Sequence, residues 1–297
     1  MSFFQFIKRI KGHIDRKGLF DTGGAAWNIG TGLIDYYFNP FALKTSKLPQ
    51  VSYPQIRTEM EQAGLSVLSY RINVAAFWDW LQWAAFPDYY VKGYGGVFVE
   101  KALEHYVSSD LLRLSPGQVF IDIASSNSPW FSIAPRLYGV KALALDLDPP
   151  TSPAPGLKVA SDATRLPLKD DSVDALALHC AYEMFEGDAD SRLIPEAARV
   201  LRSGGKMVIL PLYMSHLYYV DSSPQSDRRQ IDYQGARRVW RDGAGLVRFS
   251  RKYSVLAFME RVVRYSGCFR LSLYFIENEK EVDPTCYLKF AAFFEKP

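Results

Sequence analysis

The rhythm of hydrophobic and polar positions changes near residue 118. From there on, short apolar, β-branched and aromatic runs alternate with stretches of helical spacing, the pattern of a parallel sheet covered by helices. Strands are predicted at 118–123, 141–147, 157–160, 173–179 and 206–212, with helices at 129–138, 189–203 and 253–267. Two longer strand-like runs, 268–276 and 286–294, flank a polar segment at 277–285 and predict an antiparallel C-terminal hairpin. Before residue 113 the spacing is helical. One helix is predicted at 54–63, stopped by Gly64, and a second at 74–86, which carries Phe77, Trp78, Trp80 and Trp83 and ends at Pro87. A third follows at 97–112. Residues 18–50, punctuated by Gly23, Gly24, Gly30, Gly32, Pro40 and Pro49, predict irregular chain.

Residues 2–17 are basic and amphipathic. Phe3, Ile7, Ile10 and Ile14 share one helical face, while Lys8, Arg9, Lys11, Arg16 and Lys17 lie elsewhere. Two readings stand: a helix lying on an anionic membrane surface, or a helix packed on the protein's own core, which is the default. The expected division is a helical, aromatic-rich cap over 1–112 and an α/β domain over 113–297, with 216–253 as an insertion. That insertion holds Arg228, Arg229, Arg237, Arg238, Arg241, Arg248, Arg251 and Lys252. It reads either as a binding surface for an anionic ligand or as a solvated subdomain with scattered charges.

Composition narrows the function classes. A net charge of +3 over 297 residues is too mild to argue for nucleic acid. With no apolar run of about 20 residues, no membrane-spanning helix is expected. Cys180, Cys268 and Cys286 are odd in number, lack a CxxC and read as reduced thiols of a cytoplasmic protein. The four histidines are scattered, so no metal site is expected.

The chemistry concentrates in Val119-Phe-Ile-Asp-Ile-Ala-Ser-Ser-Asn-Ser-Pro-Trp130. A buried strand is followed by small residues, with Ser128 placed to cap a helix whose first residue would be Pro129. A strand, a tight turn and a helix N-terminus together make a site for a ligand rich in acceptors or negative charge. The next strand ends at Asp146, where an acid accepts from ribose hydroxyls.

These segments resemble the class I S-adenosylmethionine-dependent methyltransferases over roughly residues 98–297. Asp122 matches the acid of the family's acid-x-Gly-x-Gly-x-Gly loop, while Ala124, Ser126 and Ser128 stand at the glycine positions. Asp162-Ala163 matches the segment that binds adenine, and Asp171 to His179 the fourth strand. Ala197-Ala-Arg-Val-Leu-Arg-Ser-Gly-Gly-Lys206 matches the helix and double-glycine turn before the fifth. The resemblance implies a Rossmann-like, doubly wound sheet of seven strands, mostly parallel with the antiparallel hairpin at its end. It also implies S-adenosylmethionine as cofactor, held by Asp122, Ala124, Ser125, Ser126, Asn127, Asp146, Leu147, Asp162, Ala163 and His179. The methyl acceptor is expected to be a small, anionic or lipophilic molecule, methylated on O or N. His179 and His216, at the ends of the fourth and fifth strands, are the candidate bases, with His105 and Glu183 behind them. Tyr89, Tyr90 and Tyr94 stand where a lid would close. Two rivals remain: a non-catalytic binding protein with a degenerate loop, and a dinucleotide oxidoreductase, against which the missing GxGxxG argues.

Overall fold

The computed structural model describes residues 19–147, 158–243 and 245–297. The amphipathic segment 2–17 lies outside the described residues. Helices are α1 (Leu19–Phe38), α2 (Tyr53–Gln62), α3 (Val74–Ala84), α4 (Asp88–Tyr94), α5 (Phe98–Leu112), α6 (Trp130–Tyr138), α7 (Ala189–Val200), α8 (Val255–Arg261) and α9 (Glu279–Val282). Strands are β1 (Val67–Tyr70), β2 (Val119–Ile123), β3 (Lys141–Asp146), β4 (Lys158–Ala160), β5 (Val173–His179), β6 (Leu201–Leu210), β7 (Tyr219–Ser222), β8 (Arg237–Trp240), β9 (Ser250–Lys252), β10 (Arg270–Ile276) and β11 (Phe290–Glu295).

Chain contacts divide the protein into two compact units, residues 52–216 with 253–297, and residues 1–51 with 217–252. This differs from the expected boundary at 112. The helices from Tyr53 to Leu112 belong with the large sheet, because their apolar faces bury Phe77, Trp80, Leu103 and Val107 in its main core. The insertion groups instead with the first 51 residues.

The large unit carries, among the described residues, an eight-stranded sheet in the order β1-β10-β11-β6-β5-β2-β3-β4. The doubly wound parallel core and the antiparallel hairpin are as expected: β2 pairs in parallel with β3 and β5, and β11 is antiparallel to β10 and β6. The eighth strand, β1, joins β10 in parallel register and was not expected. Four residues between two helices give too short a pattern to read. The double glycine, expected as a turn before the fifth strand, lies inside β6, at an irregularity where pairing with β5 jumps from Val173–Leu201 to Ala175–Lys206. Gly204 has φ +75°, and a Cβ on Gly205 would stand 2.7 Å from the Arg202 carbonyl, so neither position tolerates a side chain without strain.

In the smaller unit, β8-β7-β9 form a sheet over Val220, Ile231, Ala236 and Phe249. Here residues 19–38 fold as a 20-residue helix where the glycines predicted irregular chain. The reason is close packing. Gly24, Asn28 and Gly32 recur at i, i+4 and i+8, one face of α1. The Arg228 amide and guanidinium donate to the Asn28 side chain and carbonyl, at 2.7 and 2.8 Å. A Cβ on Gly24 would lie 2.6 Å from the Arg229 guanidinium. Among the described residues no helix is long and apolar enough to cross a membrane.

Candidate functional site

The strand order reverses between β5-β2 and β2-β3, and the crevice at their carboxyl ends is where a ligand binds in such sheets. The loop after β2 fills this place. Ala124 has φ +54° and Ser126 φ +46°, so the chain takes the left-handed turns that glycine would make without strain. Short-range bonds lock it: the Ser126 amide donates to Asp146 Oδ2 at 2.7 Å, and the Ser128 amide to the Ser125 carbonyl at 2.8 Å. Lys158 Nζ donates to the Ser126 carbonyl at 2.7 Å. Helix α6 begins at Trp130, one residue later than expected, and Ser128 Oγ accepts from the Trp130 amide at 3.2 Å.

Two buried polar atoms at this loop, Asp122 Oδ2 and Ser125 Oγ, have no hydrogen-bond partner among the described residues. Buried polar groups are ordinarily paired, so these atoms fit a ligand that brings its own donors and acceptors. The amino-acid head of S-adenosylmethionine is such a group. Further along the edge, Asp146 closes β3 and Leu147 is 74% exposed. Asp162 turns its own chain, accepting from the Thr164 amide and hydroxyl at 2.8 Å each, with Ala163 buried behind it. Asn127 is exposed, and its carbonyl lies 3.5 Å from the Tyr89 hydroxyl. The cofactor residues expected from the sequence therefore sit on successive strand ends and loops of one sheet edge.

His179, the last residue of β5, points across to β2. Its Nδ1 donates to Asp122 Oδ1 at 3.0 Å, and its Nε2 lies 2.8 Å from Ser108 Oγ on α5. Both ring nitrogens are engaged, which is the geometry of a positioning group rather than of an open base. His105, a weaker candidate base in the sequence, is buried, and its ring centroid is 4.2 Å from that of His179. It stacks on Trp130 at 4.6 Å, and its Nε2 lies 3.3 Å from the Tyr90 hydroxyl. Burial, then the neighbouring His179 and Lys101, hold His105 well below the ordinary imidazole value, so it is neutral.

The second candidate base, His216, is elsewhere in the large unit. Its Nε2 accepts from the Ser52 amide at 3.1 Å, and Nδ1 lies 3.7 Å from Glu59. The two histidines thus engage different elements. Of the lid tyrosines, Tyr90 is buried while Tyr89 and Tyr94 are exposed. Several insertion arginines are engaged within their own unit. Arg228 stacks over Trp240 and Arg238 over Tyr233, and Arg229 pairs with Asp227. Arg248 donates to the Asp227 and Arg229 carbonyls. These contacts favour the structural reading of that segment.

Of the inner face of α5, sequence reasoning named only His105. Lys101, Glu104, His105 and Ser108 recur at three- and four-residue spacing and are all buried. The signal was present as a polar stripe on a helix otherwise read for its apolar positions. Lys101 Nζ and Glu104 Oε1 are 2.6 Å apart. Burial pushes the Glu104 carboxyl up, to about 8, against the opposing pull of Lys101.

Comparison with known proteins places residues 121–209 in a family model described as a methyltransferase domain. No curated protein matches the chain. Among solved structures, a Burkholderia thailandensis 1,6-didemethyltoxoflavin-N1-methyltransferase, with 1,6-didemethyltoxoflavin and S-adenosylhomocysteine bound, is 14% identical. The match covers 84% of this chain and 92% of that one, with a TM-score of 0.43. An S-adenosylmethionine-dependent methyltransferase from Mesorhizobium loti is 17% identical over 67% of this chain and all (100%) of that one, with a TM-score of 0.44.

Proposed function

We infer that this chain, a class I S-adenosylmethionine-dependent methyltransferase by the domain at 121–209, methylates a small molecule on oxygen or nitrogen. The observation that carries the reading is the loop after β2. It keeps the left-handed turns of a cofactor loop at Ala124 and Ser126 without glycine, and it leaves Asp122 Oδ2 and Ser125 Oγ buried and unanswered. A degenerate loop released from cofactor binding would have no reason to retain that strain.

Asp122 and Ser125 would hold the amino-acid head and Asp146 the ribose. Asp162, Ala163 and Leu147 would border the adenine. Bound there, the sulfonium supplies an electrophilic methyl group. The chain's own residues orient the partners and exclude water. His179 fixes the Asp122 carboxylate through its Nδ1–H, and Ser108 fixes the far side of the ring. The enzyme is proposed to work in the cytoplasm, and the acceptor to be a free metabolite.

Calorimetry with S-adenosylhomocysteine tests the reading. Saturable binding at one site, weakened by Asp146→Ala, is expected. A folded wild-type protein that binds neither S-adenosylhomocysteine nor S-adenosylmethionine would leave the non-catalytic binding protein as the better account.

A further inference from the structure

Helix α1 is built inside out. A surface helix ordinarily turns its apolar stripe to the core and its polar side to water. Here the inner face holds the polar groups. The Asn28 side chain accepts from the Arg228 amide at 2.7 Å, and Asp35 Oδ2 from Trp240 Nε1 at 2.6 Å. The Tyr36 hydroxyl donates to Asp242 Oδ1 at 2.6 Å. Ala25 and Gly32 are buried on the same side. At about 100° per residue, the opposite face collects Gly23, Trp27, Gly30, Ile34, Tyr37 and Phe38, with no charged side chain on it. Trp27 is 77% exposed, Phe38 79% and Phe41, just past the helix, 92%. These are the three most exposed large hydrophobic side chains among the described residues.

We propose that this face docks on an anionic lipid surface, with α1 lying along the boundary between headgroups and acyl chains. Three arguments carry the proposal, and none depends on the methyltransferase reading. First, a continuous exposed apolar stripe marks an interaction surface, and tryptophan and tyrosine, apolar rings with a polar edge, are the side chains favoured at a lipid–water boundary. Second, α1 is not apolar enough to cross a bilayer, and one apolar face on a helix otherwise tied to protein fits a helix lying in the plane of the interface. Third, the charge is complementary. Residues 1–17 hold Lys8, Arg9, Lys11, Arg16 and Lys17 against Asp15 alone, a net +4 in a chain whose total is +3. The positive charge of the protein is thus concentrated in the sequence that leads into α1, where anionic headgroups would neutralise it.

A second copy of the chain is the weaker occupant. Docking this face on itself would gather two segments of net +4 in one assembly, whereas an anionic surface relieves that repulsion. The inner-face bonds also hold α1 in place before it meets lipid, so docking spends little on ordering the helix.

Vesicle binding of the full chain tests the proposal. Co-sedimentation is measured with vesicles of phosphatidylcholine alone and with about 30% phosphatidylglycerol added. Binding should be at least tenfold stronger to the anionic vesicles and should weaken as salt rises from about 0.05 M to about 0.5 M. The triple variant Trp27→Ser, Phe38→Ser, Phe41→Ser should bind at least tenfold more weakly with an unchanged melting temperature, since all three side chains are exposed. A second readout survives even if that variant does not fold. Quenching of tryptophan fluorescence by a brominated lipid should be largely lost in the conservative variant Trp27→Phe, while its vesicle binding persists. Absence of binding by the wild type, equal binding to both vesicles, or full binding by the folded triple variant would each overturn the proposal. Undiminished quenching in Trp27→Phe would put another face on the lipid and overturn it as well. A wild-type dimer that ignores vesicles and dissociates in the triple variant would make the second copy the occupant instead.

Discussion

Replacing Ala124 and Ser126 by glycine should stabilise this protein. Both residues sit in the left-handed region, with φ +54° and +46°, where an L side chain costs about 1–2 kcal/mol. Glycine removes that strain but gains freedom in the unfolded chain, which returns about 0.4–1 kcal/mol. The net gain is about 0.5–1 kcal/mol per site, and roughly 1–2 kcal/mol for the pair if the two turns act independently. The bonds that hold the loop survive the change: Ser126 donates its amide to Asp146 and accepts from Lys158 through its carbonyl, and its hydroxyl has no part in these bonds among the described residues. Urea unfolding at 25 °C should show a higher midpoint with an unchanged slope. The melting temperature should rise by roughly 2–6 °C for a unit of this size. Affinity for S-adenosylhomocysteine should stay the same, because the loop path is unaltered. The opposite change, Ser126→Val, puts a β-branched side chain at positive φ and should cost more than about 1 kcal/mol. A doubly substituted glycine variant that is no more stable would refute the strain argument. Weakened cofactor affinity in that variant would show instead that the Cβ atoms themselves form part of the site.

Three further outcomes are expected. Asp146→Ala should weaken S-adenosylhomocysteine by about tenfold or more, from the loss of a charge-assisted bond of roughly 1.5–3 kcal/mol; an unchanged dissociation constant in the folded variant would remove Asp146 from the site. Asp190 is fully buried and accepts from Tyr253 Oη at 2.7 Å and from Arg261 Nε and Nη2 at 2.9 and 2.5 Å, so Asp190→Ala should cost about 3–5 kcal/mol in urea unfolding, and a loss below about 1 kcal/mol would contradict that. His105 is held well below its ordinary value of 6.5, so only the unfolded state takes up that proton and stability is lost as pH falls below about 6.5; denaturation at pH 8 and pH 5.5 should show this loss in the wild type and a smaller one in His105→Gln, and equal losses would clear His105 of the effect.

Local pattern determined a good part of this protein. Mostly apolar runs such as Val119–Ile123 and Val173–His179 place strands because a strand buried on both faces needs apolar residues at nearly every position. The turn after Ile123, the acid at Asp146 and the Gly204-Gly205 pair are likewise short-range signals, set by residues within a few positions of one another. Only the tertiary structure decided what those elements meet. Residues 19–38 read as irregular by their glycines, yet those glycines let arginines from the insertion pack against a helix face. Strand β1 is four residues long and exists because the edge of β10 is there to pair with it. The site depends most on such encounters. Ser108, Asp122 and His179 come from three elements, up to 71 positions apart, and no periodicity links them. Lys101, Glu104 and Glu183 are charged residues that a pattern assigns to the surface. Burying such groups is costly, and the fold keeps Lys101 and Glu104 inside where each answers the other at 2.6 Å.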